Sequence, residues 1–230
     1  GLQRYRAMYK VIGIDEAGKG PVIGSMFIGF AIITLETLQD LNSFQDMLKS
    51  IGVKDSKQFT PKNRNNVYQE LKKNIDMKYV QLTPAAIDLN NSRGGKLNEL
   101  EVKGIITILE AEKPQLVIID ALTSRPDKFG SDILKRLSFE CKIISENKAD
   151  VNYPIVGAAS IIAKELREQE VDQIKKNIGV NCGSGYPSDP NTVEFLKNNW
   201  NNKSYDFIFR KSWETYKNLS KPKYKTLNDF

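Results

Sequence analysis

Residues 13–21 have the sequence Gly13-Ile14-Asp15-Glu16-Ala17-Gly18-Lys19-Gly20-Pro21, and this stretch decides how the fold begins. The apolar residues of 9–14 lead into the two carboxylates and predict a buried strand. A Gly-Lys-Gly-Pro turn follows at once, and its glycines allow the backbone to approach a phosphate closely. An acid pair at the end of a buried strand, directly before such a turn, favours metal-assisted chemistry on a phosphodiester.

The pattern on either side of this stretch predicts an α/β protein without internal repeats. The predicted strands are 9–15, 22–34, 78–82, 115–120 and 141–145. The predicted helices are 38–50, 61–74, 97–112, 155–177, 191–201 and 207–219, with one further turn at 84–89. We expect the first two strands to form an antiparallel hairpin, and the small residues that begin 155–177 to let that helix pack closely on the sheet. The expected organisation is one core over 1–190 with a helical extension and basic tail over 191–230, packed on the core.

Composition excludes several classes of protein. The chain has 230 residues and no histidine, which excludes Ser-His-Asp triads, HExxH metalloproteases and histidine general bases. Its two cysteines, Cys141 and Cys182, have no metal-site spacing, so neither a disulfide framework nor a zinc site is expected. No stretch approaches the roughly 20 apolar residues of a membrane span, and no apolar leader precedes the first strand. A cytoplasmic location is therefore the expectation, and a monomer is the default for the oligomeric state.

Positive charge is concentrated near the C-terminus. The chain has 34 basic and 28 acidic residues, a net charge of +6, and residues 203–225 contain seven basic side chains against two acidic ones. A polyanionic partner such as nucleic acid and a solvated helical face explain this excess equally well.

Four carboxylates follow predicted strands. Asp15 and Glu16 end the first strand, Asp120 ends the strand 115–120, and Asp150 follows the strand 141–145 at the entry to a helix. Ligands gather at strand ends in α/β sheets, so these four acids could converge. With two Mg²⁺ or Mn²⁺ ions, about 4 Å apart, they would form a site for in-line attack on phosphorus. Taken singly, each acid is also typical of a turn or a helix cap.

Two loops and one aromatic segment add chemistry to this pattern. Lys54, Ser56 and Lys57 lie in a predicted loop suited to phosphate contacts. In Gly183-Ser184-Gly185-Tyr186-Pro187-Ser188-Asp189-Pro190 the tyrosine ring could stack on a sugar or base, or it could fill a gap against the sheet. Phe209 and Trp213 are expected as core anchors of the last helix, with the basic residues of Phe209-Arg210-Lys211-Ser212-Trp213 facing outward.

The motifs described above belong to longer segments, which occur along the chain in the order GIDEAGKGPVIG, VKDSK, VIIDA, ENKAD with YPIVGAASIIAK, GSGYPSDP and RKSWET. Together these segments resemble ribonuclease HII, most closely its archaeal form. The resemblance covers essentially residues 9–219. It implies a ribonuclease H-like fold, with a mixed central β-sheet flanked by helices and a C-terminal helical part. It also implies hydrolysis of the RNA strand of RNA–DNA hybrids and cleavage at RNA–DNA junctions, including single embedded ribonucleotides, to leave 3′-hydroxyl and 5′-phosphate ends.

The same resemblance assigns roles to individual residues. The four metal-binding catalytic acids of the family match Asp15, Glu16, Asp120 and Asp150. One metal would be held mainly by Asp15 and Asp150. The other would be held by Asp15, Glu16 and Asp120. This division of the acids is a hypothesis that goes beyond their membership of the site.

The substrate-contacting residues of the family also have matches. Gly18-Lys19-Gly20 corresponds to its Gly-Arg-Gly motif, whose backbone contacts the ribose 2′-hydroxyl and a neighbouring phosphate. Tyr186 corresponds to the tyrosine that senses the ribonucleotide at the junction. Ser56 and Lys57 correspond to an Asp-Ser-Lys loop near the nucleic-acid backbone.

The chain departs from the family pattern at two positions. Lys19 stands where arginine is usual, which exchanges a bidentate donor for a point charge and puts the grip on phosphate in doubt. Asn147 stands where many relatives have histidine, so any orienting or proton-transfer role of that histidine must be met differently.

Other functions remain open on the sequence alone. A different two-metal nuclease of the same fold, such as an exonuclease, would use the same acids without requiring ribose. A non-catalytic nucleic-acid-binding protein would be expected to lack one of the acids, and all four are present. Residues 224–230 resemble a sliding-clamp-binding peptide, although a frayed basic tail accounts for them equally well.

Overall fold

The computed structural model describes residues 8–54, 58–222 and 227. Their strands and helices follow in the order β1 (Tyr9–Ala17), β2 (Met26–Leu35), α1 (Leu41–Ser50), α2 (Pro61–Asn74), β3 (Asp76–Leu82), α3 (Pro84–Ser92), α4 (Leu97–Glu112), β4 (Leu116–Asp120), α5 (Pro126–Arg136), β5 (Lys142–Glu146), α6 (Ala149–Asn152), α7 (Pro154–Ile178), α8 (Pro190–Asn199) and α9 (Glu214–Ser220). Short 3-10 helices occupy Leu38–Asp40 and Lys203–Ile208. Among the described residues, no helix combines the length and the apolar character that a membrane crossing requires.

The first of two compact units contains the sheet and comprises residues 8–17, 26–81 and 98–168 of the described chain. Five strands lie in the order β3-β2-β1-β4-β5. β1 pairs antiparallel with β2 and parallel with β4, and β4 pairs parallel with β5. The mixed sheet and its helices confirm the predicted α/β fold and the antiparallel pairing of the first two strands.

The central strands are buried on both faces, which explains their continuous apolar sequences. Val11, Ile12 and Ile14 of β1 are at most 1% exposed. One core cluster joins Val11 and Ile118 of the sheet to Leu71 of α2 and to the N-terminal half of α7. This rigid layer fixes where the strands end.

Glycines in the strands allow the N-terminal part of α7 to pack directly against the sheet. A Cβ atom on Gly13 would lie 2.5 Å from the carbonyl oxygen of Ile155. A Cβ atom on Gly29 would collide with the carbonyl oxygen of Ala159 and lie 3.1 Å from the nitrogen of Ala163. The predicted close packing of this small-residue helix is therefore confirmed.

The second compact unit comprises residues 18–25, 82–97 and the described part of 169–230. Its core contains buried side chains from the segment after β1, from α7 and the loop after it, and from residues 190–220: Val22, Ile23, Ile174, Cys182, Phe195, Leu196, Ile208, Phe209 and Tyr216. Within it, Gly24 N donates to Ile208 O at 2.8 Å and Arg210 N donates to Val22 O at 2.8 Å. Residues 208–210 therefore lie beside 22–24, with Phe209 paired to Ile23 in an isolated antiparallel bridge. The division of the chain into 1–190 and 191–230 stays a prediction.

The turn predicted at 84–89 is a longer helix, α3, and two further predicted elements differ substantially from the structure. The second strand begins at Met26 and not at residue 22, because Gly24 has a φ of 85° and the preceding N–H groups donate to Gly185 O. The predicted helix 207–219 is wrong over its first half: residues 209–213 are not helical and α9 begins at Glu214. The four-residue spacing of Phe209 and Trp213 has the helical period, but the backbone of 208–210 pairs with 22–24 instead.

Candidate functional site

The register of the parallel strands brings Asp15 and Asp120 to the same level. Ile14 of β1 is opposite Ile119 of β4, so the next residue on each strand is an aspartate. Asp15 is buried at 9% exposure, whereas Asp120 is half-buried. Both lie at the carboxyl ends of their strands, where α/β sheets collect ligands.

Asp150 lies close to Asp15 and Asp120 and is supplied by the segment that follows β5. Glu146, the last residue of β5, is opposite Asp120. The chain then turns through Lys148, which adopts a left-handed φ of 59°, and enters α6 with Asp150 in its first turn. One carboxylate oxygen from each of Asp15, Asp120 and Asp150 lies within 4.8 Å of the other two. Three of the four predicted acids are therefore close enough to hold a metal ion.

Glu16 lies beside this cluster. Its backbone N–H donates to Asp15 Oδ1 at 2.8 Å, and both of its carboxylate oxygens are shielded from solvent. Its charge contributes to raising the pKa of both Asp15 and Asp120. The structure thus places Glu16 within electrostatic reach of the others, while its role as a ligand stays a prediction.

The cluster carries more negative charge than its surroundings favour. Burial raises the pKa of Asp15 well above its usual range, and the charges of Asp120 and Asp150 raise it further. Burial and a hydrogen bond with Asp150 raise the pKa of Asp120 to about 7. Bound cations would oppose both shifts, because an opposite charge favours the ionised form of a carboxyl group.

Asn147 occupies the loop between β5 and α6. Its side-chain amide faces two backbone carbonyls, of Ala121 and Thr123, and only its nitrogen can donate to them; the distance to Thr123 O is 3.0 Å. Asn147 thereby ties the loop that follows Asp120 to the loop that precedes Asp150. The amide of Asn147 can therefore orient these two loops without the histidine that many relatives have at this position.

In the second unit, the structure brings the Gly18-Lys19-Gly20 loop and Tyr186 together. Gly18 has a φ of 84°, which favours glycine, and Gly20 is exposed. A Cβ atom on Gly20 would lie 3.7 Å from the Tyr186 ring. Tyr186 is 41% exposed, so its ring is presented at the surface next to Gly20 and does not fill a gap in the core.

Tyr186 is held by its own loop and by the segment after β1. Val22 N donates to Gly185 O at 2.8 Å, and Gly185 N donates to Thr192 Oγ1 at 3.0 Å. Gly183 and Gly185 have φ values of 73° and 90°, which explains why this loop alternates glycine with other residues. The Tyr186 loop and the Gly18–Gly20 loop are thus parts of one hydrogen-bonded group.

Arg210 corrects a prediction from sequence. We expected the basic residues of its segment to face outward, but Arg210 is 0% exposed. Its guanidinium donates to Gly18 O at 2.6 Å, to Lys19 O at 3.0 Å and to Gly24 O at 2.8 Å. The signal available in the sequence was the setting of Arg210 between aromatic residues, which is typical of a partly apolar environment.

Two sets of predicted residues cannot be placed. Ser56 and Lys57 lie outside the described residues, and so does the tail 224–230 except for Leu227. Their assigned contacts stay predictions.

Known proteins share both the sequence and the fold. The family model for ribonuclease HII matches residues 12–216. Ribonuclease HII of Pyrococcus abyssi is 40% identical over 215 residues, which covers 91% of each chain. The crystal structure of ribonuclease H2 from Pyrococcus horikoshii aligns with a TM-score of 0.80 at 40% identity, over 91% of this chain and 96% of that one. A structure of the PCNA:RNase HII complex from Archaeoglobus fulgidus gives a TM-score of 0.77 at 32% identity, over 96% and 99% of the chains. This chain therefore belongs to the ribonuclease HII family.

Proposed function

We propose that this protein is an endoribonuclease that hydrolyses the RNA strand of RNA–DNA hybrids and cuts at RNA–DNA junctions, including single ribonucleotides embedded in DNA. The products carry 3′-hydroxyl and 5′-phosphate ends. The observation that carries the proposal is the meeting of Asp15, Asp120 and Asp150 within 4.8 Å at the ends of β1 and β4 and the start of α6. Membership of the ribonuclease HII family supports the choice of substrate.

In this proposal the four acids would hold two divalent cations that prefer hard oxygen ligands. Asp15, Glu16, Asp120 and Asp150 offer only carboxylate oxygens, which suit Mg²⁺ or Mn²⁺. Burial and the neighbouring acids raise the pKa values of Asp15 and Asp120, and bound cations would lower them again. When bound, two such ions would supply an activated water and stabilise the leaving oxygen.

The protein's own contribution is to position these ligands before the substrate arrives. Asp15 is fixed by burial and by the hydrogen bond from the Glu16 N–H. Asp120 and Asp150 are held by neighbouring strand and helix ends, with Asn147 tying their loops together. Because these supports belong to rigid elements, little reorganisation is needed at the moment of reaction.

In this proposal, residues of the second unit distinguish RNA from DNA. The backbone N–H groups of the Gly18–Gly20 loop would contact the ribose 2′-hydroxyl and a phosphate, and the Tyr186 ring would pack on the sugar. The exposure of Gly20 and Tyr186, side by side, supports this assignment. Lys19 would contribute a point charge to the phosphate, and Ser56 and Lys57 would contact the backbone elsewhere.

A panel of duplexes tests the proposed function. The protein is incubated with a DNA duplex that contains one ribonucleotide, with an RNA–DNA hybrid and with an all-DNA duplex, in Mg²⁺, Mn²⁺ or EDTA, and the cuts are mapped. We expect cleavage of the first two in either metal and none in EDTA, with the cut at the junction. Cleavage of the all-DNA duplex would favour an exonuclease-like two-metal nuclease, and binding without cleavage would favour a non-catalytic protein.

We also propose that residues 224–230 bind a sliding clamp. The relative from Archaeoglobus fulgidus, 32% identical, has been solved in a PCNA complex, which supports a clamp partner here. Deletion of residues 224–230 should abolish clamp binding measured by calorimetry while cleavage of a short duplex remains normal. Unchanged clamp affinity after the deletion would dispose of this part of the proposal.

A further inference from the structure

The carbonyl groups of the Gly18-Lys19-Gly20 loop all accept hydrogen bonds from one short segment near the C-terminus. Arg210 donates to Gly18 O and Lys19 O, at 2.6 and 3.0 Å. Trp213 Nε1 donates to Gly20 O at 2.9 Å. The donors lie more than 190 residues along the chain from the loop that they contact.

These contacts decide where the loop's N–H groups point. In a trans peptide the carbonyl of one residue and the N–H of the next point in opposite directions. With the carbonyls of Gly18 and Lys19 directed at the buried guanidinium, the N–H groups of Lys19 and Gly20 are directed to the other side of the loop. The peptide after Gly20 has no N–H to orient, because residue 21 is proline.

The same contacts strengthen those N–H groups as donors. A peptide whose carbonyl accepts from a cation is polarised, and its N–H becomes a better donor to a phosphate or hydroxyl oxygen. Arg210 is fully buried, so this effect is screened little by water.

Arg210 is itself held rigidly. Its guanidinium carbon lies 4.9 Å from the centre of the Trp213 ring, and its Nε donates to Gly24 O at 2.8 Å. The following turn is fixed by Asp88 of α3, which accepts from Lys211 N at 2.9 Å and from Ser212 Oγ at 2.6 Å. These contacts hold the guanidinium in place against the carbonyl groups of the loop.

We propose that Arg210, assisted by Trp213, is the positioning residue that aims the Lys19 and Gly20 amides at the substrate and so sets the preference for a ribonucleotide. This inference rests on the proposed function. It also explains how the chain can carry Lys19 where relatives have arginine: recognition by the backbone of this loop depends on the buried Arg210 and not on the side chain at position 19.

The test compares binding of two duplexes that differ by a single 2′-hydroxyl. Both are measured by fluorescence anisotropy in Mg²⁺, with Asp120→Asn present in every protein so that no duplex is cut. The variants are Arg210→Lys, which keeps the charge but cannot reach three carbonyls with one ammonium group, and Trp213→Phe, which keeps the ring but removes the donor to Gly20 O. The control is Arg64→Lys, because Arg64 is another largely buried arginine, paired with Glu165 in the first unit.

We expect Arg210→Lys to reduce the ratio of the two dissociation constants by roughly tenfold, and Trp213→Phe to reduce it by a smaller factor. Arg64→Lys should lower the melting temperature and leave the ratio unchanged. If Arg210→Lys fails to fold, Trp213→Phe decides the question. Full retention of the ratio in the variants would overturn the inference alone. A native protein that cuts no ribonucleotide-containing duplex would overturn the proposed function, and the inference with it.

Discussion

At the scale of single residues, the ionised acids of the cluster are buried or half-buried and repel one another, and a bound metal ion would reduce this repulsion. The pKa of Asp120 is raised to about 7, and that of Asp15 is raised as well. A carboxyl group whose pKa is higher in the folded protein binds more protons when folded, so it stabilises the fold at low pH. That contribution is lost as the pH rises from the usual aspartate range through about 7.

The metal-free protein should therefore gain more from Mg²⁺ at high pH than at low pH. We expect millimolar Mg²⁺ to raise the melting temperature clearly at pH about 8 and much less at pH about 5.5, with each kcal/mol of binding worth about 2–4 °C. Differential scanning fluorimetry at constant ionic strength measures this. Equal shifts at the two pH values would contradict the assignment of the metal to these acids.

Gly20 tests substrate contact without disturbing the fold. A Cβ atom there would lie 3.7 Å from the Tyr186 ring, an ordinary contact, so Gly20→Ala should change stability by no more than about 0.5 kcal/mol. The added methyl group would occupy the surface where we place the ribose. Cleavage of the single-ribonucleotide duplex should fall by roughly tenfold or more.

The matched control for this change is Gly104→Ala in α4, which should leave kcat/KM unaltered. If Gly20→Ala has the native kcat/KM and both variants fold normally, the substrate does not contact this loop and the assignment is wrong.

Individual residues differed in how far the sequence could predict them. The sequence located Asp15 and Asp120 because each ends a predicted apolar strand, and Asp150 because it follows the predicted strand 141–145 at the entry to a helix. The burial of Arg210 depends on contacts with residues 18–24, far away in the chain, and its aromatic neighbours were a weak local signal of that burial. The opposite prediction, that Arg210 faces solvent, followed from local spacing alone.

At the scale of elements, direct backbone packing of α7 on β1 and β2 is the feature that positions the strand ends. Gly29→Ala should cost about 1–3 kcal/mol, because its methyl group meets the backbone of Ala159 and Ala163, which cannot rotate away. Urea denaturation monitored by circular dichroism measures the loss.

Gly104→Ala provides the comparison for this prediction. Its added Cβ atom would lie 3.0 Å from the Val80 side chain, which can adjust, and alanine is favoured over glycine inside a helix by about 1 kcal/mol. It should therefore destabilise much less than Gly29→Ala. Equal denaturation midpoints for the two variants would show that the packing is looser than described.

Elements with strong local signals were predicted well. The helices 61–74 and 97–112 match α2 and α4, because Thr60 caps the first and apolar periodicity marks the second. The helix α5 was not predicted, although Pro126 in its first turn and the buried pair Phe129 and Ile133 have helical spacing. The prediction of a helix over 207–219 was wrong in its first half, because the pairing of 208–210 with 22–24 outweighs the local helical periodicity there.

At the scale of the whole molecule, the chain builds two compact units from segments that are not contiguous. The acid cluster belongs to the first unit, and the Gly18–Gly20 loop, Tyr186 and Arg210 belong to the second. Gly18 follows directly on Ala17, the last residue of β1, so the chain passes from the first unit to the second immediately after the strand that carries Asp15 and Glu16. Such an interleaving cannot be predicted from one sequence, because no linker or change in composition marks it.

The measurement that tests the central claim most directly is single-turnover cleavage of a duplex with one ribonucleotide by Asp120→Asn. The control is Asp127→Asn, because the Asp127 side chain is 76% exposed on α5 and lies outside the acid cluster. We predict that Asp120→Asn lowers the rate about a thousandfold or more and still binds the duplex, since several kcal/mol of transition-state stabilisation depend on this ligand. Asp127→Asn should cut at the native rate. A near-native rate for Asp120→Asn would contradict the account, because the reaction would then not depend on these carboxylates.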